Sequence, residues 1–156
     1  MWKLLQRFNA LDRSAQSLFL RAAVLLPVLA VSLRLRGLRA TQASLSSFLP
    51  GSIEHNIPSR ASEDTTKDAS EISRMVQAAA RYGVMRSTCL EKSLALWWLL
   101  GRRGMASTLR IGTRKAAGGL EAHAWVEFDG KALNEPNETQ DRYTAFEGPL
   151  PAPYPK

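Results

Sequence analysis

The chemistry in this chain starts at Cys89, its only cysteine, and at His123, one of its two histidines. Thiolate, not thiol, is the sulfur nucleophile. Ser87 and Thr88 precede Cys89, and the apolar positions Leu90, Leu94, Trp97 and Trp98 follow it at helical spacing. Cys89 therefore opens a helix. The positive end of a helix dipole favours the thiolate. The unpaired N–H groups of the first turn are placed to hold the oxyanion formed when a thiolate attacks a carbonyl. Such a reaction also needs a group that accepts the thiol proton and returns it to the leaving amine, and histidine titrates in the right range. A third group, an acceptor for the other imidazole N–H, keeps the ring oriented.

The elements that must position these groups are legible from periodicity. Thr108–Thr113 reads as a strand, Gly118-Gly119 as a turn, and 120–128 as a strand with His123, Trp125 and Glu127 on one face. Asp129-Gly130 is a hairpin signal. It pairs Phe128 with Lys131 and Glu127 with Ala132, and brings the return strand 131–135 beside His123. Two carboxylates are candidates for the orienting role. Glu135 lies one residue off direct pairing. Asp129 lies at the turn, roughly 20 Å along the strand from His123, and reads first as a turn residue.

Upstream, Trp2, Leu5, Phe8 and Leu11 mark a short helix, and Ser14 to about Leu35 a second one that Pro27 should kink or split. Gly37 is its expected stop. Residues 50–65 read as a linker or loop holding His55, which reads as a surface residue. A further helix is expected from Asp68 or Ser70 to near Gly83. The domain reading is an N-terminal helical region at 1–49, the linker at 50–65, and a core at 66–156.

A single cysteine excludes a disulfide scaffold and paired-cysteine metal sites; no metal and no cofactor is expected. The formal net charge is +7, with the excess in residues 1–50 and 71–115. This basicity suits an anionic partner or a solvated face, yet no zinc spacing, aromatic RNA-binding signature or helix-turn-helix pattern points to nucleic acid. Between Arg21 and Arg34 the chain carries no charge over 12 residues, short of the ~20 that span a bilayer. The expectation is a cytoplasmic protein whose second helix packs on the domain rather than lying at a membrane interface. Trp97 and Trp98 read as packing residues and Arg102-Arg103 as a solvated helix end.

A set of segments makes the sequence recognisable. Cys89-Leu90-x-x-Ser93-Leu94-Ala95-Leu96, Leu99-Leu100-x-x-Arg103-Gly104, Leu109-Arg110-Ile111-Gly112, Ala122-His123-Ala124-Trp125-Val126-Glu127 and Asp129-Gly130 together resemble the lasso-peptide biosynthesis B proteins. These are leader peptidases of the transglutaminase-like, papain-related superfamily, and the likeness covers about residues 66–140. It implies an α+β fold, with the nucleophile helix packed on a small antiparallel sheet and an N-terminal helical region. It implies a cysteine peptidase that removes the leader from a lasso precursor peptide. The partners implied are a separate leader-recognition protein and an ATP-dependent macrolactam synthetase. In the family's Cys-His-Asp triad, Cys89 matches the nucleophile and His123 the base. The third position falls on Glu135, a glutamate where the family carries aspartate, with Asp129 as the alternative. Two other readings compete: a transglutaminase-like acyltransferase with an amine acceptor, distinguishable by product mass, and a non-catalytic basic scaffold, for which Cys89→Ala would be silent.

Overall fold

A computed structural model describes residue 8 and residues 10–49, 62–83, 85–134 and 142–146. Among the described residues, three helices precede a four-stranded antiparallel sheet. Helix α1 spans Arg13–Ser46, α2 Glu63–Tyr82 and α3 Cys89–Arg102. Strands β1 (Thr108–Ala116), β2 (Gly119–Phe128), β3 (Lys131–Ala132) and β4 (Thr144–Ala145) lie in the order β3-β2-β1-β4. The short helix expected near residues 2–12 falls mostly outside the described residues, as do His55 and the linker from residue 50 to 61.

Helix α1 begins where Asp12 accepts a hydrogen bond from the Ala15 N–H at 2.7 Å. It runs through Pro27 with helical backbone angles and leaves them only at Gly37, at φ 76° and ψ 175°. The expected break at Pro27 is thus displaced ten residues. Ala22, Leu26 and Leu29 flank the proline and are buried in the common core, which holds the helix in place across the missing N–H. Gly37 supplies the left-handed φ that other residues resist. Thr41 then ties the two halves together: its hydroxyl lies 2.8 Å from the Gly37 carbonyl and 2.8 Å from Ser32 Oγ.

Helix α2 starts at Glu63, capped by Ser62, earlier than Asp68 or Ser70. Its first turns are polar, so hydrophobic periodicity could not reveal them. The cap and the acidic Glu63 and Asp64 against the dipole carry the start instead. Ala69, Ile72, Met75, Val76 and Ala79 form its buried stripe.

Strands β1 and β2 pair from Thr108↔Glu127 to Ala116↔Gly119, so β1 is three residues longer than expected and the turn is Ala117-Gly118. Asp129 and Gly130 both have positive φ, 49° and 73°, as a two-residue hairpin turn of type I′ requires. The expected pairs Glu127↔Ala132 and Phe128↔Lys131 are present. The return strand stops after Ala132, short of the five residues expected.

One core joins all these parts. Leu18, Leu26 and Leu29 of α1, Ile72 and Val76 of α2, Leu94, Leu96 and Leu100 of α3, Leu109 of β1, and Val126 and Phe128 of β2 belong to one buried cluster. The described part of the N-terminal helical region therefore shares its core with the helix that Cys89 opens.

Candidate active site

Cys89 is the first residue of α3 and its thiol is free and half-buried. Thr88 and Glu91 form a reciprocal capping box. The Thr88 N–H donates to Glu91 Oε2 at 2.8 Å, and the Glu91 N–H donates to Thr88 Oγ1 at 3.3 Å. The N–H groups of Cys89 and Leu90 have no partner within the helix. They are the donors expected to meet the oxyanion on the oxygen of a carbonyl that the sulfur attacks.

Ser93 stands one turn after Cys89 on the same face. It is fully buried, and its hydroxyl donates to the Ala124 carbonyl at 2.9 Å. Ala124 follows His123 directly. The buried Asn134 side chain closes the same seam: its Nδ2 donates to Ser93 Oγ at 3.0 Å, and its Oδ1 accepts the Val126 N–H at 2.8 Å. Beyond Ala132 the Leu133 N–H still donates to the Val126 carbonyl at 3.0 Å, and the Asn134 and Ser93 side chains then take over this edge of β2. Helix α2 steadies the segment as well, with Ser73 donating to the Leu133 carbonyl at 2.9 Å and Gln77 Nε2 to the Asn134 carbonyl at 2.7 Å. The second turn of α3 and the His123 segment of β2 are joined through Ser93 and Asn134, two residues with no site role assigned from sequence.

The His123 ring lies with Trp125 and Tyr143 on one face of the sheet. Its centroid is 5.1 Å from that of Tyr143, at an interplanar angle of 30°, and 6.4 Å from that of Trp125, at 18°. Two ion pairs frame the group. Glu127 accepts from Arg110 Nε at 2.9 Å on one oxygen and from the indole N–H of Trp125 at 3.0 Å on the other. Glu121 accepts from Arg114 Nε at 2.8 Å and from the Tyr143 hydroxyl at 3.1 Å, and the Arg114 guanidinium lies 5.0 Å from the Tyr143 ring centre. Val126 and Phe128 belong to the core shared with the helices, as strand alternation requires of the opposite face.

The hydrogen bond from Arg114, and then that from Tyr143, hold the Glu121 carboxyl below the usual carboxylate range, and the same pair raises Arg114. A depressed folded-state value means that the clamp is complete above the unfolded carboxylate value and is lost as pH falls through the lower folded one. The expected outcome is that the displacement of the Tyr143 ring resonances caused by losing the clamp comes only below the ordinary carboxylate range. In Glu121→Gln they should already be displaced at neutral pH. Unchanged resonances in that variant would show that the clamp does not seat the tyrosine.

Gly112 pairs with His123 across the β1–β2 ladder. A Cβ there would sit 2.9 Å from the Thr144 carbonyl oxygen and 2.9 Å from the Trp125 ring. The absence of a side chain is what lets β4, and with it Tyr143, close over the histidine. Gly112→Ala should cost about 1–3 kcal/mol through overpacking. That corresponds to a fall of roughly 3–10 °C in the unfolding midpoint, with catalytic activity reduced more than tenfold. An unchanged midpoint and rate would mean that β4 yields freely.

Asp129 occupies the hairpin turn, exposed, with φ 49°. The six residues back to His123 span roughly 20 Å of strand, too far for a carboxylate to orient the imidazole. Its backbone conformation accounts for its presence. Glu135 lies outside the described residues. Among the described residues no group of three or more His, Cys, Asp or Glu side chains is placed to hold a metal ion. Sequence reasoning gave no site role to Tyr143 and Asn134, nor to Gly112 and Ser93, which it named only as motif residues. Gly112 stands inside a strand pattern, a sign of close approach, whereas Tyr143 lies in a segment without periodicity.

No curated protein and no solved structure matches the chain. A sequence model of one family does, over residues 22–147, from inside α1 to just past β4. The matched span contains the capped cysteine helix, the histidine hairpin and the helical layer that share one core, and by it the chain belongs to the transglutaminase-like superfamily.

Proposed function

We propose that the chain is a cysteine peptidase that cleaves the leader from a ribosomally made lasso precursor peptide. The observation that carries the reading is the seam at Ser93: the helix opened by Cys89 is bonded, one turn on, to the carbonyl next to His123. In this reading Cys89 Sγ attacks the carbonyl carbon at the leader–core junction as His123 takes the thiol proton. The N–H groups of Cys89 and Leu90 hold the developing oxyanion. His123 returns the proton to the leaving amine as the C–N bond breaks, and water, deprotonated by the same imidazole, releases the acyl group from sulfur. This reading requires the imidazole to reach the thiol around an edge of β2, from the sheet face opposite the helices. Glu135 is the proposed orienting carboxylate. The substrate assignment rests on the resemblance of the segments around Cys89 and His123 to leader peptidases of this superfamily.

The test is incubation with a lasso precursor from the same gene neighbourhood, with and without the neighbouring leader-binding protein, read by intact mass. Two fragments whose masses sum to precursor plus one water support the reading, and little cleavage is expected without the partner protein. A product joined to an added amine would make the chain an acyltransferase. Bound but intact peptide would leave a scaffold.

A further inference from the structure

Helix α1 is apolar on two sides, and only one of them packs on α2 and α3. On the other, Leu20, Val24, Val28, Val31 and Leu35 are each more than half exposed. Their spacing of three and four residues places them on one stripe, about 22 Å long from Leu20 to Leu35. Arginines bracket it: Arg13 and Arg21 at the start, Arg34, Arg36 and Arg39 at the end, all exposed. No Asp or Glu occurs anywhere in α1.

We infer that α1 docks the protein, with its long axis parallel to the surface, on an anionic lipid bilayer. The ridge is aliphatic throughout and presents none of the aromatic anchors that dominate protein interfaces, but it fits the deformable boundary between headgroups and acyl chains. The arginines extend their charged ends to lipid phosphates at both ends of the ridge. A second copy on the same ridge would set five arginines against five with no carboxylate of either helix between them. The helix is also long and apolar enough to cross a membrane. Its other face is committed, however, through Leu18, Ala22, Leu26 and Leu29, to the core that carries α3, so the ridge rests on the lipid and does not span it. This inference is independent of the peptidase reading.

The test is flotation of the full chain with phosphatidylcholine vesicles and with vesicles containing phosphatidylglycerol, at low and high salt. Binding to the anionic vesicles alone, weakened by salt, is expected. Arg34→Gln/Arg36→Gln should lower partitioning roughly 25-fold, from about fivefold per arginine, and Val24→Asn/Val28→Asn more than tenfold. Both pairs are solvent-exposed, and circular dichroism checks that the fold is kept. As a second readout, Val28→Cys in a Cys89→Ala background, labelled with an environment-sensitive fluorophore, should brighten on anionic vesicles. No binding, binding indifferent to the ridge, or an unchanged fluorophore overturns the proposal. A dimer, or a complex with the leader-binding protein, that Val24→Asn/Val28→Asn dissolves while lipid is ignored also overturns it, and assigns the ridge to protein.

Discussion

Cys89→Ala should abolish peptide cleavage and leave the fold untouched. The cysteine is the first residue of α3, and the groups that start this helix are its neighbours Thr88 and Glu91, so the capping box survives the change. Alanine is the best helix former, and the half-buried thiol gives up little packing. On the proposed mechanism the rate should fall at least about a thousandfold, with an unfolding midpoint within a degree or two of wild type. Cys89→Ser should be nearly as inactive, because a serine hydroxyl is not ionised by the same surroundings. His123→Ala should also be inactive, although it removes a ring stacked on Tyr143 and Trp125, so its folding must be measured beside its rate. Glu135→Ala should lose most of the activity, and Asp129→Asn almost none, since asparagine keeps the left-handed turn conformation. Cleavage by Cys89→Ala at a wild-type rate would remove the sulfur from the mechanism.

The second large effect lies in the seam between helix and sheet. Asn134→Leu keeps the approximate volume of the side chain but removes its two buried hydrogen bonds, to the Val126 N–H and to Ser93. The Val126 N–H, on a fully buried residue, is left without its acceptor, at a cost of about 1–3 kcal/mol. Losing the bond to Ser93 adds about 1 kcal/mol. The expected total, about 3 kcal/mol, lowers the unfolding midpoint by roughly 6–12 °C. Ser93→Ala strands the Ala124 carbonyl and the Asn134 amide and should cost a similar amount. Because the two residues share one network, the double variant should cost clearly less than the two single ones together. Activity should fall in all three, since the network sets the helix of Cys89 against the strand of His123. Additive losses in stability would mean that Ser93 and Asn134 act independently and that the seam is not a unit.

Local chemistry determined much of this protein. Thr88 before Cys89 and Glu91 two residues after it form a capping box within four consecutive residues, so the position of the thiol at a helix start follows from sequence. The Asp129-Gly130 turn fixes the pairing of its flanking residues, because a two-residue turn leaves one register. Alternation along β2 put His123, Trp125 and Glu127 on one face without knowledge of what else would lie there. What escaped the sequence depends on groups distant along the chain. Tyr143 reaches His123 only because Gly112, unburdened by a side chain, admits β4 beside β1. Asn134 joins Ser93 across 41 residues, and nothing in either neighbourhood signals the partner. Pro27 is tolerated because α1 packs on α2 and α3 on both sides of it, so tertiary contact overrides the local rule. Local spacing thus set the helix start at Cys89, the strand and the turn, whereas the packing of the histidine and the joining of its strand to the cysteine's helix were decided by contacts that form only once the helices and the sheet share a core.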